Sequence, residues 1–150
     1  MPVIVIGADH PLGAVVIARL SQPGREVRAF VTSPEAAERL RSTGVKVALG
    51  DISDASHVSG ACLNCFSAVM IGEAARDGRE ISFAQSPDEV WQGWAQALTE
   101  ARVRRAIWVM EGSSPPGGVE EVATVSAGGR GPADVAEEVA ALDDALRLLS

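Results

Sequence analysis

Short runs of β-branched and other apolar residues alternate along the chain with longer segments whose apolar positions recur at helical spacing. Val3–Ile6 is a compact apolar run suited to a strand buried on both faces. Gly7–Gly13 follows as a loop, and Ala14–Leu20 reads as a helix. Pro23 and Gly24 mark a turn, after which Glu26–Val31 is a second strand with Val27, Ala29 and Val31 on one side. Ser33 is placed as the N-cap of the next helix with Pro34 in its first turn, and that helix runs through Ala36–Arg41 to end near Gly44. Val45–Leu49 is a third strand, punctuated by Gly50-Asp51. A short helix over Asp54–Cys62 is capped by Ser53 or Asp54, and Ala68–Ile71 is a fourth strand. The polar stretch Gly72–Ser86 leads into a helix at about Pro87–Ala101, then a fifth strand at Ala106–Met110. Glu111–Pro132 is rich in glycine and proline and is expected to be a long flexible surface loop; within it, Glu121–Ser126 carries a short-strand pattern. Ala133–Leu149 closes the chain as a helix. This alternation predicts a single α/β domain over residues 1–150: a doubly wound parallel sheet of about five strands with helices on both faces.

The strongest local signal is the strand, then Gly7-Ala8-Asp9-His10-Pro11-Leu12-Gly13, then the helix. A dinucleotide pyrophosphate needs three things at such a turn. The chain must bend sharply, the backbone must come close to the phosphates, and the helix N-terminus must aim its free N–H groups at them. Gly7 serves the bend and Gly13 lets the helix pack tightly on the strand. His10 stands at the middle position, where glycine would permit close approach.

Gly7–Leu20 resembles the G-A-T-G-x-x-G-x-x-x-x-x-x-L opening of the atypical and extended short-chain dehydrogenase/reductases, particularly the NmrA-like group, which are Rossmann-like NAD(P)-binding proteins. Glu26–Val31 is similar to that family's second strand, Ser33-Pro34-Glu35 to the start of its next helix, Gly44–Asp51 to its third strand and Val103–Met110 to its fifth. The likeness covers about the first two-thirds of the chain well and the remainder loosely. It implies an NADP or NAD cofactor held by the loop residues Gly7, Asp9, His10, Leu12 and Gly13. Thr32 and Ser33 would stand at the end of the second strand, Asp51 would bond the adenine, Ile52 would line its pocket, and Gly72 would lie near the ribose.

The departures from the family pattern matter as much. His10 replaces the central glycine, so its ring either contacts phosphate or closes the site. Thr32 stands where NADP-preferring members place an arginine, and the acidic residue of NAD-preferring members is also missing, so the choice of cofactor stays open. The family's Tyr-x-x-x-Lys pair, whose lysine lowers the tyrosine pKa for proton transfer, has no counterpart: the sequence contains no tyrosine, and its one lysine, Lys46, falls in the third strand. No catalytic set is assigned; Glu111 and Ser113, with Ser114 beside it, are the candidates nearest the carboxyl edge of the fifth strand. The terminal helix is expected to take the place of the helix that bears the tyrosine and lysine, after which the extended family continues into a substrate-binding region. Together these features favour a dinucleotide sensor, regulator or interaction module, with an NAD(P)-dependent oxidoreductase or epimerase using a non-standard residue as the alternative.

Composition narrows the partners. With 13 basic against 20 acidic residues the formal charge is −7, which argues against nucleic acid as a partner. No apolar run reaches membrane-spanning length and no leader is seen, so a cytoplasmic location and no membrane partner are expected. Cys62 and Cys65 form a C-x-x-C near the end of a helix; small packed side chains are favoured over redox or metal roles, and no metal site is assigned. Trp91, Trp94 and Trp108 are placed in a core or interface, and His57 on the surface. In the terminal helix, Val135, Val139, Leu142, Leu146 and Leu149 make one apolar stripe, read as packing on the chain's own sheet or, alternatively, as a homodimer surface. The acidic positions Glu137, Glu138, Asp143 and Asp144 are expected to be solvated.

Overall fold

The computed structural model describes residues 2–111 and 115–147. Six strands form one parallel sheet: β1 (Val3–Ile6), β2 (Val27–Val31), β3 (Lys46–Leu49), β4 (Ser67–Ile71), β5 (Arg105–Val109) and β6 (Glu121–Val125), in the spatial order β3-β2-β1-β4-β5-β6. The helices are α1 (Pro11–Leu20), α2 (Pro34–Ser42), α3 (Ala55–Ala61), α4 (Pro87–Glu100) and α5 (Pro132–Arg147), with a short 3-10 helix at Gly72–Arg76. This is a Rossmann-like fold, as the alternating pattern predicts. The strand count is one higher than expected because Glu121–Val125, inside the glycine-rich stretch, pairs along β5 from Arg105↔Glu121 to Val109↔Val125.

Parallel neighbours must be joined by crossovers, and right-handed crossovers running in opposite directions place their helices on opposite faces. β1-α1-β2-α2-β3 runs outward one way and β3-α3-β4-α4-β5 the other. Accordingly α3 packs on α4, while α1 packs on α5 across the sheet. The central strands β1, β4 and β5 are covered on both faces, with Val3, Ile4, Val5 and Ile6 wholly buried. Under α4, Trp94 stacks on Trp108 with ring centroids 6.3 Å apart.

Two expectations about the terminal helix are corrected. It follows β6 and lies against α1, so it does not take the place of a helix between β5 and β6. The β5–β6 connection instead passes α4, where Thr99 Oγ1 donates to Gly118 O at 3.3 Å. Its acidic positions are not simply solvated either. Asp143 is fully buried and accepts from Ser67 Oγ at 2.7 Å and from Arg105 Nη1 at 3.2 Å. Arg25 Nε lies 3.4 Å from the same carboxylate, and Arg25 also pairs with Asp144. Glu137 pairs with Arg19, and Glu138 with Arg130. Val135, Val139 and Ala140 are buried within the chain and Leu142 partly so, which takes up the described part of the apolar stripe; Leu149 lies outside the described residues.

This buried cluster ties α5 to the amino-terminal ends of β4 and β5, opposite the loops that follow the strands. Removing one partner of a buried ion pair strands the other charge in the core. Asp143→Ala is therefore expected to lower unfolding stability by roughly 3–5 kcal/mol, whereas Glu138→Ala on the exposed side of the same helix should change it by less than about 0.5 kcal/mol. Urea denaturation of the two variants checks this, and equal effects would contradict it.

Candidate functional site

In an open parallel sheet, ligands bind beyond the carboxyl ends of the strands where the strand order reverses. Here that point lies between β1 and β4. The loop after β1 turns on Gly7, whose φ is +83°, and whose N–H and that of Ala8 both donate to Phe30 O, at 3.1 and 3.2 Å. A Cβ at Gly13 would lie 2.6 Å from Gly7 O and 2.6 Å from Ala8 Cα, so only glycine lets α1 seat this closely against the end of β1. Gly72, at the end of β4, is equally constrained: a Cβ there would meet Met110 Cβ at 2.8 Å. Each of these three glycines thus stands where a side chain would collide with its neighbours.

The donors at the head of α1 depart from an open phosphate cradle. The helix begins at Pro11, earlier than the expected Ala14, and proline has no N–H to offer. His10 is the N-cap, and its Nδ1 accepts from Leu12 N at 3.1 Å. His10 thus satisfies a helix-terminal donor that a phosphate would otherwise use.

Asp9 reaches across to the end of β2. Its Oδ2 accepts from Thr32 N at 2.9 Å and Ser33 N at 3.1 Å, while Oδ1 accepts from Arg79 Nη1 at 2.6 Å. Arg79 also contacts Thr32 Oγ1 at 3.4 Å and pairs with Asp77 at 2.5 Å. The carboxylates outweigh burial and hold the guanidinium above its usual range. For Asp77, burial pushes the carboxyl up, but the Arg79 side chain and backbone N–H outweigh it and hold it below the usual range.

At the end of β3, Asp51 takes bonds through both carboxylate oxygens. Oδ1 accepts from Ser53 N at 2.8 Å and Ser53 Oγ at 2.6 Å, and Oδ2 from Ser82 N at 2.9 Å. Burial raises its pKa, but these bonds prevail and leave it below the ordinary aspartate range. Phe83 N donates to Ser53 Oγ at 2.9 Å, while the Phe83 side chain is 67% exposed. Residues 77–83 are therefore laid along the ends of β1, β2 and β3. Ile52 is completely buried, so its side chain belongs to the core rather than to an open pocket wall. Its carbonyl accepts from Trp94 Nε1 at 2.7 Å, and that of Gly72 from Trp91 Nε1 at 3.1 Å. The tryptophans thus fix the loops after β3 and β4 from beneath.

The structure brings Gly7, Asp9, His10, Leu12, Gly13, Thr32, Ser33, Asp51 and Gly72 to one edge. Sequence reasoning missed Arg79, Asp77 and Ser82. The one signal was positional: the polar stretch beginning at Gly72 starts at the carboxyl edge, but the sequence does not mark which of its charges turn toward the glycine loop, and Arg76 pairs with Glu73 instead. Glu111 is engaged elsewhere. It accepts from Ser126 Oγ at 2.7 Å and from Gly128 N, and these bonds hold it below the usual glutamate range. Ser113 and Ser114 lie outside the described residues. Lys46 starts β3 at the opposite edge, paired with Glu26 at 2.7 Å. Cys62 and Cys65 are free and buried, and burial pushes the Cys62 thiol up to about 12. Among the described residues no cluster of metal-ligating side chains occurs, and no helix is long and apolar enough to cross a membrane.

A family model described as NAD(P)H-binding matches residues 7–145. Among solved structures, the fold is similar to triphenylmethane reductase of Citrobacter sp. complexed with NADP(H): the identity is 22% and the TM-score 0.60, over 73% of this chain and 37% of that one. It is also similar to ChuY, an anaerobillin reductase of Escherichia coli O157:H7, with 26% identity and a TM-score of 0.57 over 73% of this chain and 50% of that one. A putative epimerase of Bacteroides thetaiotaomicron gives 20% identity and a TM-score of 0.57 over 72% and 46%. The chain spans between 37% and 50% of the length of these three structures. No curated protein matches it by sequence.

The depressed aspartates make the 77–83 segment sensitive to acid. A carboxyl whose folded value lies below its unfolded value contributes stability that is present above the unfolded value and is lost as pH falls through the folded one. Asp51 and Asp77 should therefore titrate below ordinary aspartates, and the Ser82 amide should follow Asp51. Carboxyl-carbon and amide NMR titration checks this; an Asp51 midpoint at or above the ordinary value would refute it.

Proposed function

The chain belongs to the NAD(P)H-binding family, and we propose that these 150 residues act as a dinucleotide-responsive regulatory or interaction module rather than as a hydride-transfer catalyst. The observation that carries this reading is the pairing of a glycine-built cradle at Gly7, Gly13 and Gly72 with polar groups already engaged inside the protein. Gly13 would set the approach of the pyrophosphate to α1, Asp51 would accept from the adenine, and Thr32 and Ser33 would meet the ribose.

A bound nicotinamide dinucleotide would supply redox chemistry to a partner or substrate. What the residues described here supply is positioning. Proton transfer needs a group of suitable pKa within reach of the reacting atom. No tyrosine exists in the sequence, and Glu111 is held in its charged form by Ser126 and Gly128, which makes it a poor proton acceptor. A cofactor entering at the ends of β2 and β3 would meet the chain's own 77–83 segment. Occupancy would then be read out as a rearrangement of that segment, which suits a sensor.

The alternative is a reductase or epimerase with a non-standard proton donor, in keeping with the activities named for the similar structures. Titration calorimetry with NADPH, NADP, NADH and NAD tests the common premise. Binding is expected, and Asp51→Ala should weaken it by up to about tenfold, since the bond to the adenine competes with that from Ser82. Absence of heat with all four would sink the dinucleotide reading. Steady-state turnover with aldehydes, ketones and quinones separates the two classes: activity that Glu111→Gln abolishes would establish the enzyme.

A further inference from the structure

Two backbone N–H groups, those of Thr32 and Ser33, and the guanidinium of Arg79 converge at the carboxyl end of β2. Three donors, one of them cationic, around a single point make a built anion site. The anion in it is the chain's own: the carboxylate of Asp9, whose side chain is 8% exposed and whose partner Arg79 is 12% exposed. Asp77 adds a second carboxylate on the far side of the same guanidinium. Two carboxylates against one guanidinium leave the place with a surplus of negative charge.

In a Rossmann-like fold, the end of β2 is where the adenosine ribose lies. A carboxylate there accepts from the ribose 2′-hydroxyl, whereas a free arginine receives a 2′-phosphate. The sequence leaves the matter open, since position 32 is threonine, neither acidic nor basic. Both missing functions are present in space, delivered from elsewhere: the carboxylate from the glycine loop at Asp9, the guanidinium from the segment after β4 at Arg79. Their order decides the outcome. Asp9 sits on the two backbone donors and on Nη1 of Arg79, so a phosphate would have to expel a like-charged group from the same three partners. A ribose hydroxyl needs only to donate to that carboxylate.

We propose that Asp9 is a specificity-determining residue that fills a latent phosphate site at the end of β2, and that the chain consequently selects the dinucleotide lacking the 2′-phosphate. The selectivity rests on the dinucleotide reading above. The latent anion site stands on its own geometry, and the experiment keeps the two apart.

Calorimetry with NAD and NADP is run on the wild-type chain, Asp9→Ala, Asp9→Asn and the double variant Asp9→Ala/Arg79→Ala. Wild type is expected to bind NAD at least about tenfold tighter than NADP. Asp9→Ala should raise NADP affinity by about tenfold or more, with a gain that fades at high salt, and Asp9→Asn should give a smaller gain with an acceptor oxygen retained. The added Arg79→Ala should cancel the gain. In parallel, inorganic phosphate is titrated against each protein while the Thr32 and Ser33 amide resonances are followed. They should shift in Asp9→Ala and stay still in wild type. Wild-type preference for NADP, or an unchanged NAD-to-NADP ratio in both Asp9 variants, would overturn the selectivity. Silent amides in well-folded Asp9→Ala would overturn the anion site. Phosphate-responsive amides with no dinucleotide bound by any variant would support the anion site and overturn both the selectivity and the cofactor reading.

Discussion

The arrangement of this edge of the molecule follows from one steric fact: nothing larger than hydrogen fits on the α-carbon of residue 13. Gly7 O and the Ala8 backbone press against that position, so the first turn of α1 lies directly on the end of β1. The loop between them has only the residues from Gly7 to His10 in which to reverse. Gly7 takes the positive φ that the turn needs, His10 N closes it on Gly7 O at 3.0 Å, and Asp9 is carried over the end of β2. Glycine at 13 therefore sets more than a phosphate approach. It aims Asp9 at Thr32 and Ser33 and places the His10 ring over the first turn of the helix.

The opposite edge of the sheet is organised by charge. Arg105 and Asp143 are almost completely buried, and with Ser67 and Arg25 they lock α5 beneath the strands. Burying such groups is costly unless each finds partners, and the contacts made by Glu121 and Asp144 extend the cluster outward to the surface. One edge is thus held by ion pairs that span the chain from the turn before β2 to α5. The other carries the loops, whose partners are mostly backbone N–H groups and could be exchanged for those of a ligand. That division suits a domain whose frame stays fixed while one edge responds.

The periodic pattern made the fold legible. The apolar runs read as strands at Val3–Ile6, Glu26–Val31 and Ala68–Ile71 and the helix capped by Ser33 appear within a residue of where spacing and capping chemistry place them. The sixth strand was harder to read because glycine and proline on either side of Glu121–Val125 dominate the local signal, and its pairing with β5 is a non-local event. Gly7, Gly13, Gly72, Asp9 and Asp51 could be placed at this edge from sequence because the features that mark them are local: a bend, a close approach, a strand end. Arg79 was not. Nothing in Arg76-Asp77-Gly78-Arg79 marks one arginine as a ligand to Asp9, since their juxtaposition depends on how residues 72–86 return across the sheet. Asp143 was misjudged for a related reason: helical periodicity placed it beside Asp144 on a polar face, while its partners Ser67 and Arg105 come from strands far away in sequence.

On the dinucleotide reading, each internal partner at the carboxyl edge stands where a group of the ligand would. The His10 ring nitrogen takes a helix-terminal N–H as a phosphate oxygen would, the Asp9 carboxylate occupies an anion site, and Ser82 N reaches Asp51 as an adenine amino group would. A site built in this way is never left with unsatisfied buried donors. Binding then exchanges one set of hydrogen bonds for another, so each new bond contributes only its excess over the one it replaces. Affinity must come from the difference between the two sets, so small changes at Asp9 or His10 weigh more heavily than they would in an open cradle. Where a ligand group replaces Ser82 on Asp51, or Asp9 at the end of β2, the same exchange would couple occupancy to conformation. If the site takes a dinucleotide, sensitivity to it and modest affinity for it would be two consequences of the same contacts.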